Sequence, residues 1–207
     1  MSIGWDFDSG SSSSTKAEFT KFAPGVTNIR VVDVAPHVRW THWQPKYKRS
    51  INCPGRGCPI CEIRKQQKAN KEPQTQQMAR RLAIQIINRE TGKLEICEMG
   101  PTWFQDLRDL MEELKNDGKQ LIDVDIKVKR RGTGKDDTSY RLDIGDEYPL
   151  TKADEALLAN RINLEEYFKP HTPEQILRIL NGEEWSSVMS ESSEPATHET
   201  EEEIVLQ

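Results

Sequence analysis

The chain has 207 residues, of which 30% are charged and 35% are hydrophobic, and its formal net charge is −5. This length and composition allow one ordinary domain with appendages and exclude a hydrophobic core that extends through the whole chain. No segment approaches the roughly 18 consecutive apolar residues of a membrane span, and the N-terminus lacks a signal-peptide pattern, so we expect a soluble, cytoplasmic protein without a membrane partner.

The charge is distributed unevenly along the chain. Residues 39–81 carry eleven basic and two acidic side chains, an excess of +9, whereas residues 183–207 carry eight glutamates and no Lys or Arg. A basic middle with an acidic end is typical of a polyanion binder whose tail can compete for its own binding surface. Nucleic acid is therefore the first partner to consider.

The N-terminal part of the chain changes character at about residue 21. Residues 1–20 are predicted to be a flexible segment, because they contain four consecutive serines and two nearby glycines. A β-branched run over residues 26–34 predicts a first strand, and residues 38–47 predict a second strand that Pro45 bends or ends. On the second strand, Arg39, Thr41, Trp43 and Tyr47 are expected on one face, and Trp40 and His42 on the other.

A cluster of potential metal ligands follows. His42, Cys53, Cys58 and Cys61 have the spacing H-x10-C-x4-C-x2-C. One imidazole and three thiolates suit a closed tetrahedral zinc site, and clustered cysteines in a reducing compartment favour metal over disulfides. The glycines between the cysteines let backbone amides donate to the sulfurs. We predict one structural Zn²⁺, with His37 as the alternative to His42 and with Cys97 as a half-buried strand thiol outside the site.

No catalytic motif accompanies the cluster. The residues after His37 and His42 do not form the H-x-E motif of zinc deaminases, and four protein ligands leave no open position for water. The sequence also contains no P-loop, no G-x-S-x-G motif and no convincing pair of carboxylates. We therefore predict that the protein is not an enzyme.

The remaining core elements follow in order. A short basic helix is expected after Cys61, and residues 81–99 predict two strands around a turn. Residues 101–118 predict an amphipathic helix, and residues 121–144 predict a long hairpin. In the hairpin, Val124, Ile126 and Val128 are expected to face inward, and Asp125, Lys127, Lys129 and Arg131 to face outward.

These elements predict a mainly β core over residues 21–150, with a zinc-binding insertion at 42–70. A small curled sheet of five or more strands with one packed helix is most often an oligonucleotide-binding barrel (OB-fold).

Two helices, over residues 151–160 and 172–180, are predicted in a C-terminal extension that covers residues 151–185. Thr172 is expected to be the N-cap of the second helix. Residues 186–207 are predicted to form a disordered acidic tail, because nothing in them could bury a core.

The sequence resembles the zinc-containing single-stranded DNA-binding proteins of tailed bacteriophages. The matching features are the FAPGVTNIRVVDV opening, the W-T-H-W strand, His42 with CPGRGCPIC, the helix after it, the RRGTGKDDTSYRL hairpin and the acidic end. They cover residues 18–145 and the tail. No counterpart of the family's N-terminal cooperativity segment can be identified.

The resemblance implies an OB-fold barrel that holds the strand in a basic cleft, with zinc stabilising a subdomain of that cleft. It also implies a role in phage DNA replication, recombination and repair in the host cytoplasm. The acidic tail would recruit partners such as a polymerase, a helicase or primase loader, or a recombinase. Weak self-association on DNA is a further expectation.

Sequence-tolerant binding of a single strand requires cations along the phosphates and aromatic rings under the bases. Such residues come from the second strand and its extension, from the start of the third strand and from the long hairpin. They are Arg39, Trp43, Lys46, Tyr47, Lys48, Arg49, Arg80, Arg81, Lys127, Lys129, Arg130, Arg131 and Arg141. The sequence leaves two roles open for Trp40, core packing and base stacking.

The tail carries the predicted partner-binding residues Glu199, Glu201, Glu202, Glu203, Ile204, Val205 and Leu206. They are expected to dock partner proteins and to shield the cleft when DNA is absent, with a purely solubilising end as the alternative. Two other functions remain open: a transcription or assembly factor that uses the zinc knuckle against a protein, and a binder of specific RNA or of duplex DNA.

Overall fold

A computed structural model of the chain describes residues 17–134 and 137–190. Within these ranges one antiparallel sheet contains β1 (Gly25–Val31), β2 (His37–Gln44), β3 (Arg49–Asn52), β4 (Ala79–Asn88), β5 (Lys93–Met99), β6 (Val124–Arg131) and β7 (Ser139–Glu147). The helices are α1 (Pro59–Ala69), α2 (Pro101–Asn116), α3 (Lys152–Leu158), α4 (Leu164–Tyr167), α5 (Pro173–Leu180) and α6 (Trp185–Ser190). None of these helices has the length and apolar character needed to cross a bilayer.

Strand β4 organises the sheet, because it pairs along both of its edges. One edge pairs with β5, and the other is shared by β2, opposite Ala79–Ala83, and by β1, opposite Ile86–Asn88. From there one limb continues through β1 to β6 and β7, and the other through β2 to β3. The interruption between β1 and β2 therefore splits the sheet into two limbs.

The prediction of a mainly β fold with added helices is confirmed, whereas the OB-fold barrel is not. The strand order is β3-β2-β4-β1-β6-β7 with β5 beside β4, and no pairing among the described residues joins β7 to β5 or to β3. The sheet is therefore open. Strands β4, β5, β6 and β7 and helices α1, α2, α3 and α5 lie where the sequence patterns predicted them, whereas β3, α4 and α6 were not predicted.

Helix α2 covers the first core. It begins at Pro101. Proline has no backbone N–H, but the first N–H groups of a helix have no partner within the helix, so no hydrogen bond is lost there. The helix ends before Gly118, whose φ is +73°. Trp103 and Phe104 are buried against the inward side chains of the β6–β7 hairpin. That inward face includes Val124, Ile126 and Val128, which are all buried.

The outward placement predicted for Asp125 is wrong. A register irregularity between Val124 and Ile126 disturbs the alternation of β6, and the Asp125 side chain is buried. Its carboxylate accepts hydrogen bonds from the fully buried Arg30 at 2.6 Å and from Arg89 at 3.1 Å. The buried Arg30 of β1 and the partly exposed Arg89, which directly follows β4, thus keep this carboxylate inside.

Arg89 extends the network to α3. Its guanidinium lies 2.5 Å from the carboxylate of Asp154, which also accepts from the backbone N–H of Thr151. Burial alone would raise the pKa of Asp154, but hydrogen bonds from Arg89 and Thr151 outweigh it and lower that pKa. The network therefore ties α3 to the β1–β6 limb.

A second core lies in the β2–β3 limb. It consists of Ile51, Cys58 and Ile60 together with Ile176, Ile179 and Val188 from the C-terminal helices. Because residue 188 is only 1% exposed, the prediction that nothing after residue 185 could bury a core is wrong. Residues 191–207, which include all the predicted partner-binding residues, lie outside the described part of the chain.

The N-terminal arm joins the sheet earlier than expected. Phe19 forms a parallel bridge with Ile96 of β5, and the backbone N–H of Thr20 donates to the Ile96 carbonyl at 2.9 Å. The predicted flexible segment 1–20 therefore includes an ordered end from residue 18, and residues 1–16 lie outside the described part of the chain.

We expect Asp125→Asn to lower the free energy of unfolding by about 3–5 kcal/mol, because it leaves the buried Arg30 without its partner charge. Chemical denaturation followed by circular dichroism measures this loss. Asp146→Asn is the matched control, since it removes the same charge from an exposed pair with Lys127 and should change stability little. Equal effects of the two substitutions would contradict the network's structural role.

Candidate metal centre and nucleic-acid interface

The four predicted metal ligands come together. Nε2 of His42 lies 3.5 Å from Sγ of Cys58 and 3.5 Å from Sγ of Cys61, and Sγ of Cys53 lies 3.6 Å from Sγ of Cys61. All four ligand atoms lie within 4.8 Å of one another. Tetrahedral zinc, with bonds of about 2.3 Å to sulfur and 2.0 Å to nitrogen, requires ligand separations of about 3.5–3.8 Å. Three of the separations match this geometry, so the cluster is compact enough to hold one metal ion.

Local folding of the chain explains this convergence. β3 pairs with β2 so that Ile51 lies opposite His42, and Cys53 follows directly after β3. Cys58 is the N-cap of α1, which places Cys61 in the first turn of that helix. Gly55 adopts φ +76°, and its N–H donates to Sγ of Cys53 at 3.3 Å. The predicted amide-to-sulfur bond is thus present.

A backbone carbonyl orients the imidazole. Nδ1 of His42 lies 3.2 Å from the carbonyl oxygen of Gln77, to which its N–H donates, so that the Nε2 lone pair faces the sulfurs. Burial lowers the pKa of His42, which favours the neutral, ligating form. Gln77 precedes β4 and was missed by the sequence argument, because a carbonyl contact carries no residue-type signal.

His42 rather than His37 is the fourth member of the cluster. The His37 ring instead stacks on Phe168, with the ring centroids 5.7 Å apart. Cys97 is fully buried in β5, which confirms that it is a strand thiol outside the cluster.

Two thiols of the cluster, those of Cys53 and Cys61, hold their protons tightly. Burial, hydrogen bonding among the thiols and repulsion between their charges raise the pKa of Cys61 to about 12, and burial also raises the pKa of Cys53. A bound divalent ion reverses this balance, since only thiolates are effective ligands. Metal uptake at neutral pH must therefore displace protons.

The C-terminal helices complete the lobe around the cluster. Cys58 packs with Ile176 and Ile179 of α5. Two hydrogen bonds also join Asn52 and His171. The backbone N–H of His171 donates to the Asn52 carbonyl at 3.1 Å, and the backbone N–H of Asn52 donates to the side-chain Nδ1 of His171 at 3.0 Å. No sequence pattern linked these helices to the cysteines, because the contacts join segments more than 100 residues apart.

Two predicted DNA-binding residues are engaged by these helices. The Tyr47 hydroxyl lies 2.6 Å from the Glu183 carbonyl and 3.3 Å from the Ile179 carbonyl, and Nζ of Lys46 donates to the Gly182 carbonyl at 2.8 Å. The Tyr47 ring also lies against Trp185. The structure therefore places Tyr47 in a packing position rather than on an open surface.

Arg39 is likewise held by contacts with other residues of the protein. Its guanidinium lies over the Phe168 ring, 3.5 Å from the centroid, and forms an ion pair with Glu98 and a 3.2 Å hydrogen bond to Asn52. Helix α4, which ends beside Phe168, was not predicted, and the Phe168 ring covers the Arg39 side chain that was expected to meet DNA.

Trp40 and Trp43 are both exposed, at 46% and 40%, although alternation predicted opposite faces. The cause lies where β2 parts from β4. Thr41 pairs there with Ala79 on one side and Asn52 on the other, and both Thr41 and the next residue, His42, are buried. Two buried residues in succession break the period of two. Both tryptophans therefore reach solvent on either side of the metal ligand His42.

The basic residues of β4 lie beside these tryptophans. Arg80 is the cross-strand partner of Trp40, and Arg81 that of Arg39. Arg81 lies 3.8 Å from Glu98, whereas Arg80 has no ion pair within the described ranges. Beyond β2, Lys48 is exposed and the Arg49 guanidinium lies 5.7 Å from the Trp185 ring centroid.

The hairpin cations lie elsewhere. Lys129 and Arg141 both pair with Asp143, at 2.7 and 3.0 Å, and Lys127 pairs with Asp146 at 3.5 Å. These pairs offset much of the hairpin's positive charge. The two remaining predicted residues are Arg130, which donates to the Phe22 carbonyl at 2.5 Å, and Arg131, which is exposed and has no ion pair in residues 17–134 and 137–190.

Strand registers separate the hairpin from the tryptophans. Arg130 lies opposite Gly25 at the start of β1, whereas Arg80 lies opposite Trp40 near the end of β2. Since β1 and β2 follow one another along β4, these two basic groups occupy opposite ends of that edge. The sheet pairing does not bring them together as two walls of one cleft.

We expect the purified protein to contain one equivalent of metal, and Cys58→Ser to lose it, because three remaining ligands hold an ion far less well. Metal analysis by mass spectrometry measures the content. Cys97→Ala removes a thiol outside the cluster and should keep the full equivalent. Retention of metal by Cys58→Ser would contradict the assignment of the ligands.

We also expect metal uptake by the stripped protein to release protons at neutral pH and to weaken as the pH falls. The raised pKa of Cys53 and Cys61 leaves these two thiols protonated at pH 7, so both must lose a proton to bind as thiolates. Calorimetric titration in buffers of different ionisation enthalpy counts the protons. A heat of binding that is independent of the buffer would contradict thiolate ligation.

Comparison of the chain with protein-family models gave no match, and a search of curated proteins gave none either. The resemblance to the phage single-stranded DNA-binding proteins therefore rests on the sequence motifs alone.

Proposed function

We propose that the chain binds single-stranded DNA without sequence preference. The observation that carries the proposal is the pair of exposed rings, Trp40 and Trp43, on the strand that also holds the candidate metal ligand His42. Directly across from Trp40 lies Arg80, which has no ion pair in the described part of the chain. Stacking of bases on aromatic rings contributes about 1–3 kcal/mol per base and tolerates any sequence, while nearby cations bind the phosphates.

We assign zinc to the metal centre. Three thiolates and one imidazole in a compact tetrahedral arrangement are typical of zinc, and four protein ligands leave no open position. The ion would then be structural, and the protein would not be an enzyme. Its task would be to hold β2, β3 and α1 together, so that the two tryptophans keep a fixed spacing.

The biological setting follows from the resemblance. The protein would coat and protect single strands during phage DNA replication, recombination and repair in the host cytoplasm. Its acidic tail would recruit replication or recombination enzymes.

The rival function of a protein-binding zinc knuckle is less well supported. Part of the knuckle surface, around Cys58 and Ile60, is already buried by α5 and α6 of the same chain. The rival of an RNA or duplex-DNA binder predicts a different preference among nucleic acids, which the first experiment measures.

We expect oligonucleotides of varied sequence to quench the tryptophan fluorescence with similar affinities. The logarithm of the binding constant should fall with the logarithm of salt concentration with a slope of about −0.7 per phosphate contact. Absence of binding, or a clear preference for duplex DNA or for one RNA sequence, would contradict the proposal.

Two substitutions in the same segment sharpen this experiment. Trp43→Ala should weaken binding by about 1–3 kcal/mol, the contribution of one stacked base. Tyr47→Phe, which only removes hydrogen bonds to the C-terminal helices, should leave affinity unchanged and lower stability by about 1 kcal/mol. The opposite outcome would place Tyr47 rather than Trp43 at the bases.

Truncation after Ser190 should tighten DNA binding at low salt, because it removes six glutamates that compete with the phosphates. The cut must follow Ser190, since Val188 belongs to the second core. The same titration at low and high salt measures the effect, which should vanish at high salt. Equal affinity of both chains at low salt would contradict shielding by the tail.

A further inference from the structure

An open groove lies next to Trp40 on the β4 side of the sheet. It has a volume of about 380 Å³ and lies between the β1–β2 connection, β4 and α2. Val38 and Leu82 line it from the sheet, and Phe104 and Met111 line it from α2. Small-molecule sites in proteins have volumes of about 300–1,000 Å³, so the groove is large enough to hold a ligand.

The walls of the groove are apolar and open to solvent. Val34 at its edge is 93% exposed, and Met111 is 38% exposed. Apolar side chains that cluster around an open concavity favour a ligand with an apolar face.

The groove is continuous with the exposed tryptophan. Val38 and Trp40 lie two residues apart on β2 and share a face, and their partners on β4 are Leu82 and Arg80. Of these four residues, Trp40 alone does not line the groove. The strand therefore leads from the apolar groove, past the Trp40–Arg80 pair, to the metal ligand His42.

Charge at the edge of the groove is positive. Arg80 has no ion pair within the described ranges, and Arg108 of α2 makes only an exposed contact of 3.9 Å with Glu112. The lining also contains one carboxylate, Asp33, but Arg161 pairs with it at 2.5 Å. The groove thus combines an apolar interior with cations at its mouth.

We propose that this groove holds one unpaired base of the bound single strand, with Trp40 stacked on that base or on its neighbour and Arg80 contacting the adjoining phosphate. This inference rests on the proposed function and names a subsite of it. A flat ring suits the apolar interior, and the phosphate suits the cations at the mouth. Bases of a duplex are held within the stack, so the subsite also selects single strands.

The test compares two oligonucleotides of equal length and charge. One is oligo(dT), and the other carries abasic tetrahydrofuran residues in place of the bases. The wild-type chain should bind oligo(dT) roughly tenfold or more tightly than the abasic strand, because only the former can stack and enter the groove. Trp40→Ala and Met111→Glu should each reduce this ratio several-fold.

Leu177→Glu is the matched control for Met111→Glu. Leu177 is also an exposed apolar residue of a helix, at 48% exposure, and the substitution adds the same charge outside the groove. It should keep the wild-type ratio. The salt slope should stay close to the wild-type value in Trp40→Ala, since that substitution removes no phosphate contact. Thermal unfolding of each variant shows whether its fold is intact.

Crosslinking locates the base independently of affinity. Oligonucleotides that contain 5-iododeoxyuridine should crosslink on irradiation to peptides that include Trp40 or Met111. A wild-type chain that binds oligo(dT), combined with unchanged ratios in both variants and crosslinks elsewhere, overturns the groove and leaves the proposed function standing. This is also the result expected if a protein partner occupies the groove. A wild-type chain that binds neither oligonucleotide overturns both.

Discussion

The imidazole of His42 is the contact on which the metal lobe depends. One ring nitrogen faces the sulfurs of Cys58 and Cys61, and the other donates to the carbonyl of Gln77. A single side chain therefore joins β2 to the start of α1 and to the segment that leads into β4. Since its ring is fully buried and burial favours its neutral form, Nε2 of His42 is available as a ligand for a cation among the sulfurs.

The same lobe depends on the end of the chain. Helices α5 and α6 supply half of the second core and bind Tyr47 and Asn52 through hydrogen bonds. The knuckle contributes few apolar side chains of its own, so the packed helical cover supplies much of the apolar contact around it. The C-terminal extension is consequently part of the β2–β3 limb rather than an appendage to the β core.

The distribution of paired and unpaired cations distinguishes the two limbs. In the β6–β7 hairpin, Lys127, Lys129 and Arg141 are offset by neighbouring carboxylates. On β4, Arg80 is free of such pairing within the described ranges and lies beside the exposed Trp40. The basic charge counted from the sequence thus makes the hairpin look like a better polyanion-binding surface than it is. The exposed ring of Trp40 beside Arg80 marks a surface that suits a polyanion better.

The sequence by itself determined the three cysteines of the candidate metal cluster, most strands and helices, and the core faces of α2 and the hairpin, because these depend on ligand spacing and on periodicities of two and 3.6 residues. The choice of His42 over His37 came from the tertiary structure. Tertiary structure decided the roles of individual polar and aromatic residues. Arg39 is held by Glu98, 59 residues away, and Tyr47 by Glu183, 136 residues away. Asp125 is buried because Arg30 and Arg89 meet it. Such partners lie far apart in the sequence, and no local pattern reveals which of them will meet.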